Sequence, residues 1–236
     1  ILYEYAKEII SLTSQSEEVI KQSIGKNESA IAIGASYTIG EYLLPQVLGD
    51  FQKSHRNIKF SLSIGNTPNI ISELENNNVH IALVEGIVEN KELHTEKISR
   101  DELILVVSHD HPWNQKQEIE IADIASEKMI WREENSGARK IIENTLSEYN
   151  ILDKIKSRME LGSTQAIKSA VEANLGIAIL PKLSVLKELE LGVIKQIDIS
   201  KIQLKRELFM VKKPLRFPHE ILRHLITYIK SYTIVS

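Results

Sequence analysis

Hydroxyl and amide side chains stand at three points where an apolar strand pattern gives way to a helical one. They are Ser36-Tyr37-Thr38 after residues 30–35, Asn66-Thr67 after residues 58–64, and Gly162-Ser163-Thr164 after residues 158–161. Free backbone N–H groups and the helix dipole at such points favour an anion, commonly a carboxylate, sulfate or phosphate. For any one Ser or Thr the alternative is ordinary capping of the helix with no ligand. A fourth segment, residues 132–139, carries Arg132, Glu134, Ser136 and Arg139. Arg139 falls in the first turn of a predicted helix, where a cation opposes the dipole. That local conflict suggests an anion or an acidic partner; a salt bridge to Glu133 or Glu134 is the competing account. Glu85 closes an apolar run and could bind an amine or cap a structural contact.

Other chemistries find little support. His109 and His111 have a spacing that some metal sites use, but no third ligand is evident and a His-Pro in a loop is commonly structural. There is no nucleophile elbow, no phosphate-binding Gly-rich loop with its Lys and no zinc-protease helix. Ser, His and acidic residues show no spacing that suggests a triad. The chain has no Cys, which excludes a disulfide scaffold, a thiolate nucleophile and Cys-ligated zinc. Net charge is −3, so there is no bulk basic signal for nucleic acid, and the Lys212, Lys213, Arg216 cluster is too short to make one. The reading is therefore a binding module without cofactor or metal, not an enzyme.

The elements that must position these residues follow from periodicity. At 236 residues, 42% hydrophobic and 26% charged, the chain can form one large or two small globular cores. No apolar run approaches the roughly 20 residues of a membrane span, and no signal peptide is visible. The chain begins with Ile, as expected of a fragment or processed product. Residues 1–25 carry Leu2, Tyr5, Ile9, Leu12 and Val19 at heptad-like spacing, with Ser16 in the same seam. This is a long helix, packed either on its own domain or on a second copy. Residues 30–35, 58–64 and 79–84 predict strands. Between them lie helices over 39–55, with a kink or a restart at Pro45, and from Thr67 to Asn76, so the order is βαβαβ with a parallel sheet. Two strands are expected at 93–98 and 102–107, a short helix at 121–124, a strand at 129–131 and a helix over 136–149. Residues 159–181 form a strand–helix–strand unit: Ser163 and Thr164 start the helix, Asn174 and Gly176 end it, and 177–180 reads as a buried parallel strand stopped by Pro181. Its helix N-terminus lies at the carboxyl edge of a strand, where ligands bind in open α/β sheets. A helix over 183–189, strands at 193–197 and 207–211, and a last helix from Pro218 complete the chain.

Five motifs occur in order: Leu43-Leu44-Pro45, Ile81-Ala82-Leu83 ending in Glu85, His111-Pro112, Glu134-x-Ser136-Gly137-x-Arg139, and Gly176-Ile177-x-Ile179-Leu180-Pro181. Together they resemble the effector-binding domain of LysR-type transcriptional regulators, and the first helix resembles that family's linker helix. The stretch Gly34-Ala35-Ser36-x-Thr38-Ile39-Gly40-Glu41-Tyr42-Leu43-Leu44-Pro45 is most similar to the branch of cysteine-metabolism and carbon-fixation regulators. The resemblance implies an α/β fold of two Rossmann-like subdomains with a ligand cleft between them (type 2 periplasmic-binding-protein-like), preceded by a long N-terminal helix. It places subdomain I at residues 29–108 plus 205–232, subdomain II at 109–204 and the linker helix at 1–25. It implies a small anionic effector, Ser36, Tyr37, Thr38, Asn66, Thr67, Glu85, Arg132, Glu134, Ser136, Arg139, Ser163 and Thr164 as effector-binding candidates, a homodimer or homotetramer and a cytoplasmic location. The family's DNA-binding winged helix-turn-helix has no counterpart in this chain, so promoter DNA would be reached only through that missing domain. A transporter's solute-binding protein is the first rival reading; a small α/β enzyme is the second, with turnover as its discriminator.

Overall fold

A computed structural model describes residues 5–6, 9–10, 13, 16, 29–86, 88, 90–134, 136–214 and 220–232. The strands are β1 (Ser29–Ser36), β2 (Ile58–Gly65), β3 (Ile81–Glu85), β4 (His94–Ser108), β5 (Glu118–Ile119), β6 (Met129–Arg132), β7 (Arg158–Leu161), β8 (Ala178–Pro181), β9 (Ile194–Ile199) and β10 (Leu204–Lys212). The helices are α1 (Leu44–Ser54), α2 (Thr67–Glu75), α3 (Gly137–Glu148), α4 (Thr164–Glu172), α5 (Lys182–Leu191) and α6 (Glu220–Ser231). The chain divides into two compact units. One combines the residues up to Ser99 with those from Glu207 on; the other is Arg100–Arg206.

In the first unit β1 lies between β2 and β3, parallel to both, and β3 also pairs antiparallel with β10. This is the expected βαβαβ start. β3 is buried along its whole length and β1 from Ile31 on, apart from half-buried Ala32, as strands covered on both faces require. β2 is apolar at alternate positions and ends with Ile64 partly exposed. Helix α1 buries Leu44, Val47, Leu48 and Phe51, a spacing that keeps one stripe inward. Pro45 sits in its first turn, where the missing N–H costs nothing, and a π-helical turn at Ile39–Leu43 precedes it. The irregularity expected at Pro45 takes the form of this π-helical turn, which passes directly into α1. Asn77, in the left-handed region at φ 59°, follows the end of α2.

In the second unit β4 pairs antiparallel with β8 and β9, β9 pairs with β5, and β6–β7 form a separate parallel pair. Its interior has two faces. Ile177 and Ile179 point to one, with Trp131, Leu146 and Ile197. Ala178 and Leu180 point to the other, with Ile104, Ile167 and Val171.

Three expectations need correction. The strands predicted at 93–98 and 102–107 are one strand of 15 residues, β4. Its polar middle looked like a break, but Asp101 is buried there against Arg206. The first crossing between units accordingly lies at Ser99–Arg100, inside β4, and not after Ser108. Residues 178–181 run antiparallel to β4, and only Ile177 makes a parallel bridge, to Met129. A continuous apolar run reports burial on both faces and carries no information on strand direction.

Of the predicted N-terminal stripe, Leu2, Leu12 and Val19 lie outside the described residues, as do Asn135, Arg216 and Pro218. Tyr5 and Ile9 are described and exposed. No described helix is long and apolar enough to cross a membrane.

Candidate functional site

The parallel sheet of the first unit brings three candidate segments to one edge. Ser36 ends β1 in register with Gly65, the last residue of β2, and Glu85 ends β3 beside them. Asn66 and Thr67 follow Gly65 directly. Asn66 caps α2, its side-chain oxygen accepting from the Asn69 N–H at 3.0 Å. Thr67 Oγ1 donates to the Glu85 carbonyl at 3.1 Å. That bond ties α2 to the end of β3 and uses the only proton of the Thr67 hydroxyl. Ser36 is 2% exposed, and its Oγ is buried without a hydrogen-bond partner. Thr38 is buried with no side-chain cap bond. Tyr37 is exposed, and Glu85 is buried.

In the second unit, β6 and β7 run parallel with Trp131 opposite Glu160 and Arg132 opposite Leu161. Their carboxyl ends deliver Arg132 on one side and Gly162-Ser163-Thr164 on the other. Ser163 caps α4, its Oγ accepting from the Ala166 N–H at 3.1 Å. Thr164, 3% exposed, begins that helix and accepts from Arg132 Nη1 at 2.7 Å. The same guanidinium grips the Glu133 carboxylate in a fork, Nε to Oε2 at 2.7 Å and Nη2 to Oε1 at 2.8 Å. Ser136 caps α3 through a long bond of 3.5 Å from the Arg139 N–H.

Arg139 resolves its conflict with the helix dipole through protein partners. Its Nε donates to Glu143 at 2.7 Å, and its Nη1 donates to Glu160 and to the Arg132 carbonyl, each at 2.7 Å. The guanidinium lies 5.6 Å from the Trp131 ring centroid. Burial opposes its charge, but the hydrogen bonds to Glu143 and Glu160 outweigh that and raise its pKa. Its acidic partners are not the expected Glu133 and Glu134. Glu133 instead holds Arg132, and Glu134 is exposed.

Glu143 and Glu160 were thus missed by sequence reasoning, and Glu133 was paired with the wrong arginine. The signal for Glu160 was available in principle: its pairing with Trp131 follows once β6 and β7 are laid parallel. The buried orphan hydroxyl of Ser36 carries no sequence signal at all, since an ordinary cap reads identically.

His111 serves as a cap. Its Nδ1 accepts from the Trp113 N–H at 3.1 Å, and its Nε2 lies 3.5 Å from Glu127. Among the described residues no group of three or more His, Asp or Glu side chains could hold a metal ion.

This α/β architecture recurs in solved regulatory domains. The regulatory domain of CcmR from Synechocystis PCC6803, solved in complex with 2-PG, matches at a TM-score of 0.76 and 24% identity, covering 86% of this chain and 96% of that one. The family model described as the LysR substrate binding domain matches residues 25–233, and the chain belongs to that family. The HTH-type transcriptional regulator CysL of Bacillus subtilis is 31% identical over 98% of this chain and 77% of its own length. A protein of Emiliania huxleyi named as a RuBisCO transcriptional regulator is 33% identical over 92% of this chain and 70% of its own. These relatives are transcriptional regulators, which favours a regulatory role over that of a transporter's solute-binding protein.

Proposed function

We propose that this chain is the sensor of a LysR-type regulator and that its effector is a small oxyanion or carboxylate. The candidate donors are strand-end hydroxyls: Ser36 and Thr38 after β1, and Ser163 and Thr164 at the start of α4. The observation that carries this reading is Ser36, whose hydroxyl is 2% exposed and unpartnered. A buried polar atom without a partner costs about 1–3 kcal/mol, and a ligand that supplies the partner recovers that cost as affinity. Both serine and threonine sites stand where backbone N–H groups at helix starts already favour negative charge. Binding alters the protein's assembly only through a difference in affinity between two states. That difference is passed to promoter DNA through DNA-binding domains held in an oligomer.

The test is a screen of sulfate, phosphate, phospho-sugars, sulfur metabolites and organic acids by thermal shift and calorimetry, followed by Ser36→Ala. Because Ser36 Oγ has no protein partner, Ser36→Ala should leave the melting temperature unchanged or higher while weakening the effector about tenfold. Unchanged affinity in Ser36→Ala for an effector confirmed by calorimetry would overturn the placement. With a net charge of −3, this chain alone should not retard a promoter fragment at physiological salt.

A further inference from the structure

We infer that Arg132 is a specificity-determining residue: it fixes the direction of the Thr164 hydroxyl proton, so that the start of α4 accepts an oxyanion through donors and not through its own positive charge. The inference rests on the effector reading above.

An arginine has no hydrogen-bond acceptor. In the 2.7 Å contact between Arg132 Nη1 and Thr164 Oγ1 the oxygen must therefore accept, and the Thr164 proton must point elsewhere. Ser163 is constrained in the same way, because its oxygen already accepts from the Ala166 N–H. Among the described residues, neither hydroxyl donates to a protein acceptor. Two adjacent hydroxyls at one helix start are thus held with their protons presented. A ligand oxygen satisfies both; a ligand that offers only donors satisfies neither.

Arg132 holds this arrangement because it is itself held. The Glu133 carboxylate takes two of its donors, which neutralises its charge and stops it swinging out as a direct anion ligand. The Arg132 carbonyl is fixed by Arg139 Nη1 at 2.7 Å, and Arg139 is anchored in turn on Glu143, Glu160 and the face of Trp131. Arg139 is then a scaffold for the site, not a ligand contact.

The experiment is a double-mutant cycle on Arg132→Met and Thr164→Val with sulfate as probe, alongside Thr164→Ser. Melting is measured throughout, and Arg132→Lys, which keeps the charge and loses the fork, is the second variant in case Arg132→Met folds poorly. Each single replacement should weaken sulfate about tenfold, Thr164→Ser should bind like the parent, and the double variant should be no weaker than either single. Losses that multiply would show Arg132 acting on the anion independently of Thr164 and would overturn the inference. So would a loss in Thr164→Val with none in Arg132→Met. Neither result touches the effector reading.

A second readout needs no ligand. In nuclear magnetic resonance the Arg132 Nη1 proton bonded to Thr164 should exchange slowly in the parent and quickly in Thr164→Val. Equal exchange in the two proteins overturns the inference even if sulfate proves not to bind.

Discussion

Asp101 and Arg206 are the first test of how the fold is held. Both side chains are nearly sealed from solvent, at 2% and 1% exposure. Arg206 reaches one carboxylate oxygen twice, through Nη2 at 2.6 Å and Nε at 2.9 Å. The other oxygen accepts from the Glu102 N–H at 2.9 Å. They sit at the ends of the second unit, where β4 enters it and β10 leaves it. Arg206→Met keeps most of the apolar stem and removes the charge, leaving Asp101 buried without its counter-ion. Breaking a buried pair in this way costs about 3–5 kcal/mol. For a chain of this length each kcal/mol moves the melting temperature by roughly 2–4 °C. Arg206→Met should therefore melt about 6–20 °C below the parent, by calorimetry or circular dichroism. The double variant Asp101→Leu with Arg206→Met removes both charges and should recover most of that loss, since a buried pair is worth little net against an apolar replacement. A drop of under about 1 kcal/mol in Arg206→Met, or a double variant no better than the single one, would show that the pair does not carry this energy.

Three smaller perturbations address other parts of the account. Thr67→Val should lose about 1 kcal/mol of stability, for the lost bond to the Glu85 carbonyl, while effector affinity stays at the parent value; denaturant titration and calorimetry read the two separately. A Cβ at Gly176 would lie 2.3 Å from the Lys128 carbonyl oxygen, a backbone atom, so Gly176→Ala should destabilise by about 1–3 kcal/mol or more in urea, and parent-like unfolding would contradict the packing of β6 against the residues before β8. The Glu96–Lys230 pair joins β4 to α6 at 2.7 Å, and its hydrogen bond holds the Glu96 pKa below its ordinary value. A lowered carboxylate pKa gives stability that is present above the unfolded value and is lost as pH falls through the folded one, so Glu96→Gln should flatten the acid limb of the stability curve, and an acid limb identical to the parent's would refute the link.

Much of this structure was legible because local chemistry and global packing agreed. Pro45, the caps at Asn66, Ser136 and Ser163, and the left-handed Asn174 each mark an element boundary by a mechanism that works within a few residues. The parallel order of β1, β2 and β3 followed from alternation of strands with helices. What escaped was long-range. Asp101 reads as a breaker until Arg206, distant in sequence, is placed beside it. The direction of β8 depends on β4 and not on its own four apolar residues. Among the site candidates, the sequence located the hydroxyls but could not assign their protons. Thr67 and Thr164 are the same residue type at the same kind of helix start, yet one donates to a carbonyl and the other accepts from an arginine.

The most direct measurement is a crystal structure of this chain with an effector found by the screen. The account predicts an acceptor atom of the ligand within about 3 Å of Ser36 Oγ, with the Arg132–Thr164 bond intact. A ligand bound with Ser36 Oγ still unpartnered and Arg132 withdrawn from Thr164 to contact the ligand itself would contradict it.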